Sequence, residues 1–213
     1  MHALVHVFTR GKPTSTDLEE IMAPYDEGLQ VEPYPDVEYT PEQIRELRED
    51  YTLAPEVSDE ELLHLVVGGD LRKSSDGNWH SWTTYNPNSE WDYWVVGGRW
   101  HLSLPGDQNM ARFKDLDYSA RREAARAKAT EATDNYDSES SGGLTRDALV
   151  HAAVNSVGVP AAIVDLDGKW HEGDLGIFAP LSDPGAVAWS KAYWEFANAL
   201  PEDAWVTVVD IHI

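Results

Sequence analysis

One apolar segment, residues 204–213 (AWVTVVDIHI), constrains the fold of this chain more than any other. It predicts a β-strand, and a strand with so few polar side chains must pair inside a sheet, because an exposed edge of this kind aggregates. Residues 2–9 (HALVHVFT) are apolar on both faces and predict a second, central strand. Since helix signals lie between them, we predict an α+β fold: a mixed or antiparallel sheet that contains both terminal strands, with helices packed on it.

Capping and turn residues mark the elements between these strands. TPEQ (40–43) and SDEE (58–61) have the order of a capping box and predict two helices, and the Asp-Gly pairs at 76–77 and 167–168 predict hairpins. The other predicted elements are a helix at 17–22, strands at 91–96 and 99–104, an Ala/Arg-rich helix within 111–128, and helices at 144–154 and 183–200. We predict a single α+β domain over residues 1–213, with an acidic helical region at about 17–67 and a mobile loop at about 133–143.

Hydrophobic residues make up 42% of the chain and nine residues are Trp, which is enough to build a core and argues against wholesale disorder. The predicted core comprises Leu4, Val5, Val7, Leu63, Val66, Trp91, Trp100, Ile163, Trp189, Trp194, Val206 and Val208.

The charge of the chain excludes several classes of partner. There are 38 Asp and Glu against 16 Lys and Arg, a formal net charge of −22, so we expect no direct nucleic-acid binding and no membrane binding. The first apolar run is too short for a signal peptide or a membrane span, which predicts a soluble protein. The sequence has no Cys and no phosphate-binding loop, and its one H-x-x-x-H pair, His2 and His6, is poorly placed at the start of a predicted strand; neither a cofactor nor a metal is predicted.

Sixteen of the acidic residues lie between Asp17 and Glu61, where Arg45 and Arg48 are the only bases. Acidic runs of this kind are usually solvated surface. They also leave open an alternative function, in which carboxylates along the helices imitate the phosphates of a DNA duplex and occupy a host DNA-binding protein.

Residues 86–100 (NPNSEWDYWVVGGRW) concentrate aromatic and polar side chains around two glycines. In a structural interpretation this is a strand, a bulge and a second strand, with Asp92 paired to Arg99. In a functional interpretation Trp91 or Trp100 stacks on a planar ligand while Arg99 binds its phosphate or carboxylate.

The last strand also ends in polar groups. Asp210 and His212 share one face of it, and they either orient one another for acid–base chemistry or cap the sheet edge. We predict that the following residues converge in one concave surface at the sheet edge: Asn86, Asn88, Asp92, Arg99, Trp170, Asp210 and His212. Trp91, Trp100 and His171 complete the predicted ligand-binding set, and His212, Asp210 and Arg99 are the catalytic candidates if the chain is an enzyme.

Four segments resemble a family of small proteins from bacteriophages and prophages. They are the central motif N-P-N-x-x-W-D-x-x-x-x-G-G-R-W (86–100), MAPYDE (22–27), DGKW (167–170) and the terminal VVDIHI (208–213). The resemblance covers both ends and the centre, whereas residues 107–143 match nothing in it. The resemblance implies that the protein comes from a phage and acts in the host cytoplasm. Because no reaction is known for the family, the resemblance does not imply an activity.

From these features we expect a phage accessory protein that acts by binding, in counter-defence or host takeover. Its partner would be a small anionic, planar molecule such as a nucleotide, or a host protein. The alternative is a nucleotide hydrolase or phosphodiesterase that uses His212 and Asp210; binding is favoured over catalysis.

Overall fold

The computed structural model describes residues 1–54, 56–134, 145–173 and 183–213. Its strands are β1 (His2–Arg10), β2 (Tyr34–Tyr39), β3 (Asp70–Lys73), β4 (Trp79–Thr83), β5 (Tyr93–Val96), β6 (Met110–Arg112), β7 (Ala162–Val164), β8 (Trp170–Glu172) and β9 (Ala204–His212). Its helices are α1 (Ser15–Met22), α2 (Pro41–Asp50), α3 (Asp59–Val66), α4 (Ser119–Ala132), α5 (Arg146–Asn155) and α6 (Pro184–Ala199), with short 3₁₀ turns at Ala23–Tyr25, Gly98–Trp100 and Phe113–Asp115.

The chain divides into two compact units. The first joins Met1–Pro24 to Glu90–Ile213, and the second is Tyr25–Ser89. The predicted acidic region therefore contributes α1 to the first unit and α2 and α3 to the second. That the whole chain forms one domain stays a prediction.

The first unit is built on a mixed sheet with the strand order β5-β9-β1-β7-β8, in which β6 also pairs with the first half of β9. Strand β1 is antiparallel to β9 along its whole length, from His2 opposite His212 to Arg10 opposite Ala204, and parallel to β7. The hairpin β7–β8 turns at 167–168. The prediction of an α+β fold with both terminal strands in one sheet is confirmed, and β1 is central as predicted.

Both faces of β1 and β9 are buried, which is why their sequences are nearly continuous in apolar residues. Val5, Val7 and Val209 on one face have no exposed surface. On the other face Phe8, Ile163, Val206 and Val208 pack with Tyr193 and Ala197 of α6. Each such side chain contributes on the order of 1.5–3 kcal/mol by burial.

Most of the predicted core is buried or partly buried, with one exception. Val5, Val7, Leu63, Trp91, Ile163, Val206 and Val208 are buried, and Leu4, Val66, Trp189 and Trp194 are partly buried. Trp100 is 36% exposed, so its assignment to the core is wrong. The predicted strand at 99–104 is also wrong, because Gly97 (φ +79°) and Gly98 (φ +49°) turn the chain into the 3₁₀ turn that Trp100 ends.

The second unit has an antiparallel sheet with the order β2-β4-β3. Its core includes Ile44 of α2, Leu62 and Leu63 of α3, and Trp79 of β4. Both predicted capping boxes are formed: the side chain of Thr40 accepts from the N–H of Gln43, and Ser58 does the same for Glu61. Sequence analysis missed β2, because the short segment YPDVEY combines a proline with two acids.

Other predicted elements lie close to their predicted positions. Helices α5 and α6 match, and the Ala/Arg-rich helix begins at Ser119, after β6 and a 3₁₀ turn that were not predicted. Most of the predicted loop at 133–143 lies outside the described residues. Within the part of the chain that is described, no helix is both long and apolar enough to cross a membrane.

Candidate functional site

Two His–Asp pairs lie at one corner of the large sheet, where the start of β5 meets the end of β9 and the start of β1; we call this corner the β5 edge. His212 lies opposite Tyr93 of β5, and its Nδ1 is 2.9 Å from Oδ1 and 3.1 Å from Oδ2 of Asp92, which immediately precedes that strand. The two side chains are 41% and 40% exposed. This pair is therefore open to solvent.

The second pair is built on a buried carboxylate. Asp210 is only 3% exposed; its Oδ1 lies 2.9 Å from Nδ1 of His2, and its Oδ2 accepts the backbone N–H of Arg99 at 2.8 Å. A Cβ at Gly98 would lie 2.5 Å from the Cβ of Asp210, so only glycine allows the 3₁₀ turn to approach this closely. The Gly97-Gly98 pair thus serves the close backbone approach that its sequence suggested.

The two pairs form one cluster, because the rings of His2 and His212 meet edge to face with centroids 5.0 Å apart. In each ring Nδ1 faces a carboxylate, which assigns the proton of the neutral ring to Nδ1 and leaves Nε2 as an acceptor. Neither Nε2 has a hydrogen-bond partner among the described residues. Over those residues, no group of three or more His, Asp or Glu side chains is placed to hold a metal ion.

Both pairings that the sequence predicted are wrong. Asp92 pairs with His212 and not with the guanidinium of Arg99, which among the described residues is engaged only through its backbone N–H. Asp210 pairs with His2 and not with His212. Residues two apart on a strand are separated by about 6.6 Å, whereas cross-strand neighbours lie about 4.5–5.5 Å apart. The register of β1 on β9 therefore decides the partner.

Trp170 and His171 lie at the other edge of the sheet, on β8, and three strands separate them from β5. That Trp170 shares a surface with Asp92, Arg99 and His212 stays a prediction. His171 places Nε2 2.7 Å from Asp165.

The remaining predicted residues take different positions. Asn86 is buried and its side chain accepts the N–H of Asn88, which is the predicted Asn turn. Both belong to the second unit, so their predicted place in a joint site stays a prediction. Trp91 is 8% exposed and its indole Nε1 has no partner among the described residues, whereas Trp100 is half-exposed.

A cavity of about 1340 Å³ lies on the first unit between α4, α5 and α6. Its walls combine apolar residues such as Leu116 and Val154 with charged ones. The basic residues that line it are Lys114, Arg122, Arg126 and Lys191, and the acidic ones are Asp117, Glu123 and Glu195. Four of only 16 Lys and Arg in the chain thus meet at one cavity.

Most of these charges are already engaged, but the guanidinium of Arg122 is not. Lys191 lies 3.8 Å from Glu195, and Asp117 accepts the N–H of Ser119 at 2.8 Å. Arg122 lies over the ring of Trp194 at 4.2 Å, and its buried Nε has no hydrogen-bond partner in the described part of the chain. A cation stacked on an aromatic ring is prepared to receive a planar anion.

Aromatic packing fixes that arrangement. The indole of Trp194 donates to the carbonyl of Asn155 at 2.8 Å and contacts the rings of Tyr118 and Tyr193 at 5.4 and 5.0 Å. Burial raises the pKa of Tyr118 to about 12, against an opposing effect of Arg121 and Arg122, so its hydroxyl stays protonated at neutral pH. Around the guanidinium of Arg122, the cavity wall is thus held in place by aromatic contacts and a hydrogen bond of Trp194.

Sequence analysis missed both His2 and this cavity. His2 could have been found from the register that pairs the two terminal strands, since it places residue 2 opposite residue 212. The cavity had a weaker signal, a basic helix in an acidic chain.

No family model, curated protein or solved structure matches this chain.

Proposed function

We propose that the protein binds a small, planar, anionic molecule in the cavity between α4, α5 and α6. The observation that carries this proposal is the guanidinium of Arg122, whose Cζ lies 4.2 Å from the ring centroid of Trp194 and which has no acidic partner among the described residues. In a chain with a net charge of −22, an unpaired cation on an aromatic floor is a site for a negative ligand.

A nucleoside monophosphate fits this chemistry best. Its base offers a planar face to the aromatic and guanidinium surfaces, and its phosphate suits Arg122 with Arg126, which follows one helical turn later and also lines the cavity. The volume is ample for a ligand of this size, since ligand pockets are about 300–1,000 Å³.

Binding of AMP and GMP to the full chain, followed by Trp fluorescence and calorimetry, tests the proposal. We expect saturable binding that weakens at least 10-fold in Arg122→Ala and falls with salt. Lys128→Ala is the matched control, because it removes the same charge from α4 outside the cavity. Absence of saturable binding, or equal loss in both variants, would contradict a site at Arg122.

The biological role of this binding is also part of the proposal. The resemblance to phage and prophage proteins supports an accessory role in the host cytoplasm, in counter-defence or host takeover, with the bound molecule as the object of that role. Capture of AMP- or GMP-like metabolites from infected cells by the wild-type chain, lost in Arg122→Ala, would support it. Capture of a host protein by both chains alike would favour the protein-partner alternative.

A further inference from the structure

The His2/His212 cluster has features that sheet architecture alone does not require. A buried carboxylate is costly unless it is fully bonded, and Asp210 is bonded by the N–H of Arg99 on one oxygen and by His2 on the other. To bring that N–H within 2.8 Å, the chain places Gly97 and Gly98 at positive φ. The result is an imidazole held by a fixed carboxylate, with its second nitrogen turned away from that carboxylate.

The same arrangement occurs a second time next to it. Asp92 holds His212 as Asp210 holds His2, and the two rings are in edge contact. Both imidazoles are partly exposed, at 26% and 41%. Two oriented imidazoles side by side can act together, the neutral one as a base and the protonated one as an acid.

We propose that His2 and His212 are the catalytic residues of a phosphodiester hydrolysis site at the β5 edge, separate from the cavity at Arg122. The neutral imidazole takes a proton from water through Nε2 while the water oxygen forms a bond to phosphorus. The bond from phosphorus to the leaving alkoxide breaks, and the protonated imidazole gives its Nε2 proton to that oxygen. Exchange of one proton with solvent at each ring restores the starting state.

The charges around the cluster limit the substrate to a small phosphodiester. Arg99 is exposed and its backbone N–H is bonded to Asp210, so its side chain begins next to the carboxylate that holds His2 and suits a single phosphate. The net charge of −22 opposes a long polyanion. A cyclic or dinucleotide diester meets both conditions.

Hydrolysis of bis(4-nitrophenyl) phosphate and of 2′,3′-cyclic AMP by the full chain tests the proposal. With the cyclic nucleotide we expect His2→Asn and His212→Asn each to lower the rate about 10²–10⁴-fold, and the double variant to be little worse than either. The 4-nitrophenolate leaves without a proton, so one of the two variants should lose far less rate on that diester. His64→Asn, on the exposed face of α3, is the control that keeps the wild-type rate.

Asp92 is a positioning residue, and its variant separates orientation from folding. We expect Asp92→Asn to lower the rate about 10-fold and to alter the bell-shaped pH profile while the melting temperature stays unchanged. The ionisable groups near the two rings are the Met1 amine, Asp92, Tyr93, Arg99 and Asp210. A wild-type chain that hydrolyses neither diester, or rates unaffected by the His2 and His212 variants, would overturn the proposal.

Discussion

The two edges of the large sheet each carry a histidine bonded to an aspartate, yet the two aspartates have different structural roles. At the β5 edge Asp210 is 3% exposed and its oxygens bind His2 and the N–H of Arg99, which lies 111 residues away. At the β8 edge Asp165 accepts the N–H groups of Asp167 and Lys169 as well as His171, all within six residues. The β8 pair closes a local hairpin, whereas the β5 pair joins distant parts of the chain.

The difference shows that a His–Asp contact alone does not identify a site. What distinguishes the β5 edge is that the carboxylate is buried, that glycines are required to reach it, and that a second imidazole stands beside the first. The β8 edge has none of these features within the described residues.

The largest loss of stability is expected from substituting the glycine that contacts Asp210 at the β5 edge. Gly98→Ala combines a positive φ with a clash against Asp210, and we expect it to lower the free energy of unfolding by about 3–4 kcal/mol. Gly11→Ala also has a positive φ but meets open space, so it should cost only about 1 kcal/mol. Urea unfolding of both variants measures the difference, and equal losses would mean that the Asp210 contact is not tight.

Removing the two carboxylates compares the edges directly. Asp210→Ala leaves the buried N–H of Arg99 without its acceptor and should cost about 2–3 kcal/mol. Asp165→Ala removes bonds at a turn that water can replace, and should cost about 1 kcal/mol. Chemical denaturation at pH 7 measures both, and a larger loss for Asp165 would reverse the comparison.

The central strand β1 carries a histidine that is bonded to a tyrosine hydroxyl and not to a carboxylate. His6 is buried, its Nδ1 lies 2.9 Å from the hydroxyl of Tyr193, and burial lowers its pKa from 6.5 to about 3. Because the unfolded chain binds the proton more readily, stability is full above pH 6.5 and falls below it, by about 1.4 kcal/mol per pH unit at most.

Between pH 7.5 and 5 this loss amounts to about 2 kcal/mol. His6→Phe should flatten that part of the stability curve, while the exposed His64→Asn should leave it as in the wild type. Denaturation at a series of pH values measures the slope. An unchanged slope in His6→Phe would mean that other groups carry the pH dependence.

The smallest effect concerns the exposed half of the β5 cluster. Asp92 and His212 are both about two-fifths exposed, and exposed pairs contribute little, so Asp92→Asn should change the free energy of unfolding by about 0.5 kcal/mol or less. Thermal unfolding measures it. A loss of unfolding free energy as large as that of Asp210→Ala would mean that the Asp92–His212 pair stabilises the fold.

Much of the fold could be predicted because its signals are local. The apolar runs of β1 and β9, the capping boxes at Thr40 and Ser58, and the turn at 167–168 each lie within about ten residues. The strand β2 and the turn at Gly98–Trp100 could not be predicted, because the first contains a proline and two acids and the second depends on contact with Asp210.

The site was predicted only in part, for a related reason. Asp92, Arg99, Asp210 and His212 were chosen from the right segments, and the structure does bring them to one edge. Their partners were wrong because strand register is a tertiary property, and His2 enters only through it.

The position of β9 also sets the order in which the molecule can form. This strand pairs with β1 on one side and with β5 and β6 on the other, yet it follows all of them in the sequence. During synthesis the large sheet therefore lacks the strand that joins β1 to β5 until residues 204–212 leave the ribosome, and until then the edges of β1 and β5 that face β9 are unpaired. The contiguous unit Tyr25–Ser89 is free of that delay and can fold while the rest of the chain is still being made.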